Sequence, residues 1–581
     1  MFRCGLIGCW LGLAMLHPLP AAAVSQVEIH VGEIRHPAGQ AQEVSISLDS
    51  GGRWQGRAQA LSADLPEAAK TFTLPFKLSK GKVAGSVRFA GQDWTPDHLA
   101  GQITLHDLAF SDEAGTHAGE NLAATLTIEA SRSGADWRYL AGLDWRGGEV
   151  FWQPLYLADG GVAAQASGVL SQRRLTVDRG RLQLQGVGEI ALAAEYDREA
   201  RRLEALRASG SGIELAVAYP LLLKPYLDKT LLGNLEMAGR ADFSIDWMAS
   251  GLAGFDVSLH GVDVQDRNSR FGVYKLDAAI PWNRSRPTTA VLRYAGGHLL
   301  RLPLGETALA ATLDGFSLTA PSLRLPVLDG ALTLTDVSAA LLAGQWHWHL
   351  GASIAPVSMI EFSHAVGWPA MQGKLAASIP LVTYSAGLMR MEGAMGIDLF
   401  DGSVVVDKLV LQDPLSAAPR LSADIRMRDL DLGLLTQTFS FGAISGKLDG
   451  DVQALELSRW QPVRFDAVLR SSPGSYPKQI SQRAVQNISA LGGAGAAAAI
   501  QRSFLRFFEE FHYSRIGLSC RLRNGVCGMD GVEPAQNGYV IVTGSGIPAI
   551  TVLGYNRSVS WSELLQRIRR VTSGNAKPVI K

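Results

Sequence analysis

Leu421-Ser422-Ala423-Asp424-Ile425-Arg426-Met427-Arg428 alternates apolar and polar residues over eight positions. Side chains of a strand point to opposite faces in turn, so this segment has one greasy face and one wet face. The same period recurs along the chain. Val463, Phe465, Ala467 and Leu469 alternate with Arg464, Asp466 and Arg470, with Val468 as the exception. Trp346, Trp348 and Leu350 alternate with His347 and His349, and Val27, Ile29 and Val31 with Glu28 and His30. Turn pairs punctuate the series at Ser50-Gly51-Gly52, Arg179-Gly180, Asp329-Gly330, Asp401-Gly402 and Asp449-Gly450. Residues 24–470 are therefore predicted to be antiparallel β. A phase slip near Gly261 predicts a bulge.

One stretch is a unit copied twice. Asp329-Gly330 recurs as Asp401-Gly402, 72 residues on, and Met371-Gln372-Gly373-Lys374-Leu375 recurs as Ile444-Ser445-Gly446-Lys447-Leu448, 73 residues on. Ala352-Ser353-Ile354 aligns with Ala423-Asp424-Ile425, and Gly233-Asn234-Leu235 reads as a more diverged copy. An internal period implies a stack of units that pack on their neighbours. Short non-strand pieces at Tyr219–Tyr226 and Leu430–Phe439 hold equivalent places before these glycines.

The chain has 581 residues, 47% of them apolar, so a packed fold is expected rather than disorder. Lys+Arg and Asp+Glu are both 54, a balance that gives no reason to expect a nucleic-acid partner. Residues 1–23 read as a signal peptide: Arg3, an apolar run from Gly5 to Leu16, then Ala21-Ala22-Ala23. An uncleaved anchor is the alternative. Beyond that leader only Cys520 and Cys527 remain, flanking Asn524-Gly525, the strongest short hairpin signal. A two-residue or four-residue loop puts both sulfurs on one face, where a disulfide can form in an oxidising compartment; a three-residue loop leaves two separate thiols.

Composition changes after residue 470, and residues 471–581 read as a smaller α+β cap. Lys478 to Leu491 predicts a helix. Ile500, Phe504, Phe507, Phe508 and Phe511 predict an amphipathic helix. Ser560-Trp561-Ser562-Glu563 is a capping box that opens a last helix reaching about Val571.

No nucleophile elbow, Walker loop, dinucleotide fingerprint, HExxH or CxxC occurs. Ser79-Lys80-Gly81-Lys82 and Ser475-Tyr476-Pro477-Lys478 match S-x-x-K without its companion motifs and read as loops. His347 and His349 share a face, but no third metal ligand is identifiable. The expectation is a non-enzyme without cofactor or metal.

Phe439-Ser440-Phe441-Gly442-Ala443-Ile444-Ser445-Gly446-Lys447-Leu448-Asp449-Gly450 and the stretch Asp401 to Val406 resemble recurring elements of the AsmA-like superfamily. Phe511 to Gly517, Cys520 to Cys527, Tyr539 to Val542 and the Ser560 helix start resemble the YdbH-type C-terminal domain, once labelled a dicarboxylate-transport domain. The resemblance implies an elongated, twisted β-groove related to the TamB and YhdP-like bridges. Its implied role is to carry phospholipid between inner and outer membranes across the periplasm, with a small outer-membrane lipoprotein as partner. The alternation supports a groove independently: a sheet with one apolar face must bury it, and lipid tails in a trough would do so. The candidate groove wall is Trp346, Trp348, Leu350, Leu421, Ala423, Ile425, Met427, Val463, Phe465 and Leu469. Two rival expectations are an envelope-assembly scaffold with a dry stack and a binder of small dicarboxylates.

Overall fold

The computed structural model describes residues 25–37, 39–70, 76–366, 373–414, 416, 418–492 and 508–572. The expected leader 1–23 and the aromatic run from Ile500 to Phe507 lie outside these. The chain forms two compact units. The first holds residues up to Ile213 with Pro220–Tyr226 and Trp247–Gly251; the second holds Glu214–Tyr219, Leu227–Asp246 and everything from Leu252 onward. Both are mainly β, and the expected cap from residue 471 is part of the second.

Within each unit, strands pair antiparallel with their neighbours along the chain. In the first, long strands such as Lys77–Gln92, Thr95–Ser111, His117–Ser133 and Asp136–Trp152 follow one another as successive hairpins. Ser79 and Lys82 therefore lie in a strand rather than in the expected loop; Val83, Val87 and Phe89 alternate from there on, and the ladder to the next strand bridges two register shifts between Leu78 and Lys82.

At intervals a short helix replaces the hairpin turn. Strand Gln345–Ser358 ends in helix Met359–Val366, and its partner strand starts at Lys374. Strand Arg420–Asp431 ends in helix Leu432–Thr438, with the partner strand starting at Lys447. The first helical N–H of each is received by a glycine carbonyl, Met359 to Gly373 and Leu432 to Gly446, both at 3.0 Å. Gly373 and Gly446 have φ of +100° and +135°, which only glycine adopts without strain. The copied glycines thus mark where the chain leaves the helix and re-enters the sheet. Asp431 caps the second helix by accepting the N–H of Leu434 at 2.8 Å. The two helices share one apolar cluster, with Met359 and Phe400 buried among Phe362, Leu434 and Leu435.

Bulges interrupt the ladders of the second unit, and one device recurs at four of them. Gly261, Lys275, Asp429 and Ala454 each have φ near +50°, which takes the backbone N–H out of register. Each N–H is received by an aspartate of the neighbouring strand: Asp277 and Asp263 at 2.8 Å, Asp449 at 3.1 Å and Asp424 at 2.7 Å. The bulge predicted near Gly261 is one of the four, with register shifts on both sides of Val262.

The largest closed core lies at the C-terminal end of the second unit. Strand Glu510–Arg523 joins two layers. Its first half pairs with Gln479–Ser481 and Gly538–Gly544, and its second half with Gln461–Ser471 and Val526–Gly531. Phe511, Tyr513, Ile480, Tyr539 and Val542 are buried there with Val485 of helix Gln482–Gly492, and helix Trp561–Thr572 adds Leu564. Phe511 is in a strand, so the expected aromatic helix does not extend that far; Phe511 and Tyr513 point inward with period two, and strand pairing to Ile480 prevails. Half of the predicted capping box is present, with Ser560 Oγ accepting the N–H of Glu563 at 3.2 Å, while the Glu563 carboxylate pairs with Arg567. Arg523 pairs with Val526 around Asn524-Gly525, a two-residue turn with positive φ at both positions. Cys520 and Cys527 are placed diagonally across this hairpin and form a disulfide.

Two predictions follow from this geometry. A Cβ at Gly446 would meet the Tyr513 hydroxyl oxygen at 2.4 Å, whereas among the described residues one at Gly373 would have the Phe400 nitrogen nearest, at 3.9 Å. Gly373→Ala should cost about 1 kcal/mol in urea unfolding, from backbone strain alone, and Gly446→Ala ~3 kcal/mol. Lys408 beside Asp424, followed by the Ala454 N–H, holds the Asp424 carboxyl below its ordinary value. Its contribution is complete above the unfolded value of about 3.9 and is lost as pH falls through the lowered folded value. Asp424→Ala should remove about 1 kcal/mol at pH 7, and its melting point should converge on that of the wild type as pH falls through the lowered folded value of the carboxyl.

Candidate functional site

Register turns the alternation of single strands into continuous apolar rows. In the first unit one row runs Val31, Val44, Ala58, Val87, Gly101, Ile128, Ala141, Ala166, Gly180, Leu192, Ala208, each residue directly opposite the next. A parallel row beside it runs Gly85, Ile103, Leu126, Leu143, Ala164, Leu182, Ile190, Gly210. Ile103, Leu126 and Ile128 keep 36%, 38% and 41% of their surface exposed. They belong to an apolar face yet stay open to solvent. Glycine and alanine make up much of the first row, so the floor of the trough is low. Its flank is closed by a compact cluster in which Leu122, Ala124 and Trp145 are buried.

The second unit repeats the arrangement. One row runs Leu325, Leu332, Ile354, Ala377, Ile397, Val404, Met427, Gly450, Leu469, Leu518. A second runs Leu318, Ala339, Trp348, Tyr384, Met389, Leu411, Leu421, Leu457. Most of these side chains are half-buried. At ~4.8 Å per strand, the nine steps of the first row span about 43 Å.

The candidate wall residues divide accordingly. Trp348 and Leu421 share a row, and the Trp348 ring stacks on Tyr384 with centroids 5.3 Å apart. Met427 and Leu469 share the other row. Leu350 faces Val382, and Ile425 lies between Val406 and Val452. Ala423 is buried opposite Leu455, and Trp346 is exposed at the strand end opposite Leu341. Val463 sits at a register shift between the Arg464–Glu456 and Pro462–Leu457 pairs and is exposed. Phe465 is buried and covered by Trp561 of the cap, edge to face at 5.3 Å. The trough residues of the first unit are absent from the sequence-derived set. Their signal was present as the alternation Leu126-Thr127-Ile128-Glu129-Ala130, but the register with partners on neighbouring strands decides which alternating runs share a floor.

The opposite face is wet and ion-paired. In the first unit Arg174 meets Glu195 at 2.7 Å. In the second, Asp407 and Asp424 stand directly opposite, and Arg426 and Lys408 neutralise them at 2.7 Å each. Exposed pairs of this kind add little stability, but they fix which face is hydrated.

The second unit also holds a half-open apolar pocket of about 410 Å³ beside the cap helices. Leu448, Leu469 and Leu518 supply its floor, Leu435 one wall, and Leu491 and Ile568 part of its cover. Among the described residues no group of three His, Cys, Asp or Glu is placed to hold a metal ion, and His347 and His349 face Ala340 and Ser338. Burial raises the Tyr513 hydroxyl pKa well above its ordinary value, and this hydroxyl donates to Ser445 O at 2.7 Å, a structural role. No helix of the described residues is long and apolar enough to cross a membrane. Comparison with protein-family models, curated proteins and solved structures finds no match.

An open floor and a covered core respond differently to truncation. Phe465→Ala should cost ~3–4 kcal/mol in chemical denaturation, the loss typical of a buried aromatic. Leu126→Ala should cost only about 1 kcal/mol, because the side chain is already partly hydrated. Equal losses at both sites would mean that the trough is filled.

Proposed function

We propose that the apolar troughs bind the hydrocarbon tails of phospholipid and that the protein carries such lipid across the periplasm between inner and outer membranes. The observation that carries this reading is the continuous apolar rows across successive strands of each unit, in which large side chains such as Ile103, Leu126 and Ile128 stay open to solvent. Such a surface is costly in water, and hydrocarbon laid on it gains about 0.8 kcal/mol per buried CH₂. Movement along a uniform row needs no catalytic group, since each step exchanges one aliphatic neighbour for another. The ion-paired outer face keeps the same strands hydrated on their other side. The exported location and the outer-membrane lipoprotein partner rest on the leader pattern and on the likeness to YdbH-type proteins. The scaffold reading requires a dry, filled interior, which half-exposed Ile103, Leu126 and Ile128 do not favour.

The test places a benzophenone amino acid at Leu126 or Trp348, with Thr127 and His349 on the wet face as controls. Irradiation of the cell envelope followed by mass spectrometry should give phospholipid adducts at the first two positions and none at the controls. The double variant Leu126→Lys/Ile128→Lys should lower lipid recovered with the first unit about tenfold without changing the melting point by more than a few degrees. Adducts at all four positions alike, or at none, would sink the proposal.

A further inference from the structure

Strand Gln26–His36 lies at an edge. Among the described residues it pairs only with Gly39–Asp49, and that ladder runs without a register shift. Nearly all of its residues are exposed, Val27 and Ile29 at 46% and 51%. The free N–H and C=O groups of such an edge are a template for another strand, and folded proteins usually blunt it with Lys, Pro or a bulge. This strand contains neither Lys nor Pro.

The direction of its backbone groups follows from one hydrogen bond. The Ser50 N–H donates to Ser25 O at 3.0 Å, so these two residues are a bonded pair of the ladder in which Gln26 faces Asp49. Bonded and non-bonded positions alternate in an antiparallel pair. Val27, Ile29 and Val31 therefore turn their backbone groups toward Gly39–Asp49. Gln26, Glu28, His30 and Gly32 turn theirs outward. An added strand must match outward residues to outward residues.

A second copy related by a two-fold axis presents the same strand antiparallel and meets that demand when the axis passes through a residue position. Centring it on Glu28 sets two like charges opposite each other. Centring it on His30 puts Val27 against Glu33, and centring it on Val31 puts Ile29 against Glu33. Only Ile29 at the centre satisfies both faces over a useful length. Val27 then faces Val31 on the apolar side, and Glu28 faces His30 twice on the wet side. Glu28 and His30 already meet at 3.2 Å within one strand, so the pairing would close a ring of two carboxylates and two imidazoles.

We propose that the protein forms a two-fold dimer in which strands Gln26–His36 of two copies add to each other, centred on Ile29. Val31 faces Val44 in its own chain, and in the dimer it also faces Val27 of the second copy. The apolar rows thus run on from one copy into the next. The dimer does not depend on what those rows carry. The facing stretch, Gln26 to Gly32, is short and buries less than a standard interface, so association is weak.

Sedimentation of the intact protein over ~10–100 µM, a range suited to a small interface, should show monomer and dimer in exchange. Ile29→Cys should give a disulfide-linked dimer on oxidation, because facing non-bonded residues bring their Cα atoms to about 4.5 Å. Val27→Cys and Val31→Cys should do so only when mixed. His30→Glu, which sets Glu against Glu, should weaken association at least tenfold, and Glu28→His/His30→Glu should restore it, with the melting point unchanged in both. The dimer is refuted if the wild type stays monomeric at ~100 µM, if His30→Glu associates as well as the wild type, or if the swap restores nothing. A benzophenone amino acid at Ile29 that captures residues 1–24 of the same chain, or a different protein, would likewise overturn it by showing another occupant on the edge.

Discussion

Everything in this fold depends on strand register. A strand that slipped by one residue against its neighbour would turn its entire apolar set to the wet face. With ten or eleven strands in series, each slip would be passed to all that follow. The chain guards against this in two ways. Most pairings are between sequence neighbours joined by tight turns, so the turn sets the phase. Where the ladder does break, an aspartate on the adjoining strand receives the displaced N–H, as Asp424 does for Ala454 and Asp277 for Gly261. The displaced residue is held in the left-handed region, and beyond the bulge the alternation resumes on the correct face. The Asp424 carboxylate serves two purposes, since it also pairs with Lys408 on the hydrated side.

The same logic explains why the helices recur where they do. Turning the chain through a helix lets an apolar cluster form at the sheet end, as at Met359 and Phe400. The return point then needs a backbone conformation that only glycine supplies readily, hence the copied Gly373 and Gly446. Between these points side-chain identity is free to drift, provided that period two is kept. Repetition in this chain is therefore one of return points and alternation more than of residue identity, which is why the copies share few residues.

How much could be read from the sequence follows from which interactions are local. The alternation at Leu421–Met427, the Asn524-Gly525 turn and the Ser560 N-cap depend on residues a few positions apart, and each is found as expected. That Trp348 and Leu421 share one row was not legible, because Tyr384, Met389 and Leu411 connect them through four separate registers. Val463 fits the alternation pattern, yet a register shift leaves it exposed. Phe511 fits a helical stripe on spacing alone, and only its pairing with Ile480 assigns it to a strand. The apolar pocket was invisible for the same reason at larger scale: its lining is drawn from segments as far apart as Leu432 and Ile568.

The contrast between the two kinds of apolar burial bears on function more than any single residue does. In the cap, Ile480, Phe511, Tyr539 and Val542 are almost wholly removed from water, and the layers above and below them close the core. Along the strand rows of each unit the same residue types stop half-way. A fold that can bury Phe511 completely within a few strands is not short of means to cover Leu126 or Trp348. Leaving a surface of this length half-wetted forgoes on the order of 1 kcal/mol for each large side chain. The ion-paired outer face shows that solubility alone did not require it. The cost recurs at successive strands with the same sign and on the same face, which is the pattern expected of a surface kept open for an aliphatic occupant that moves along it.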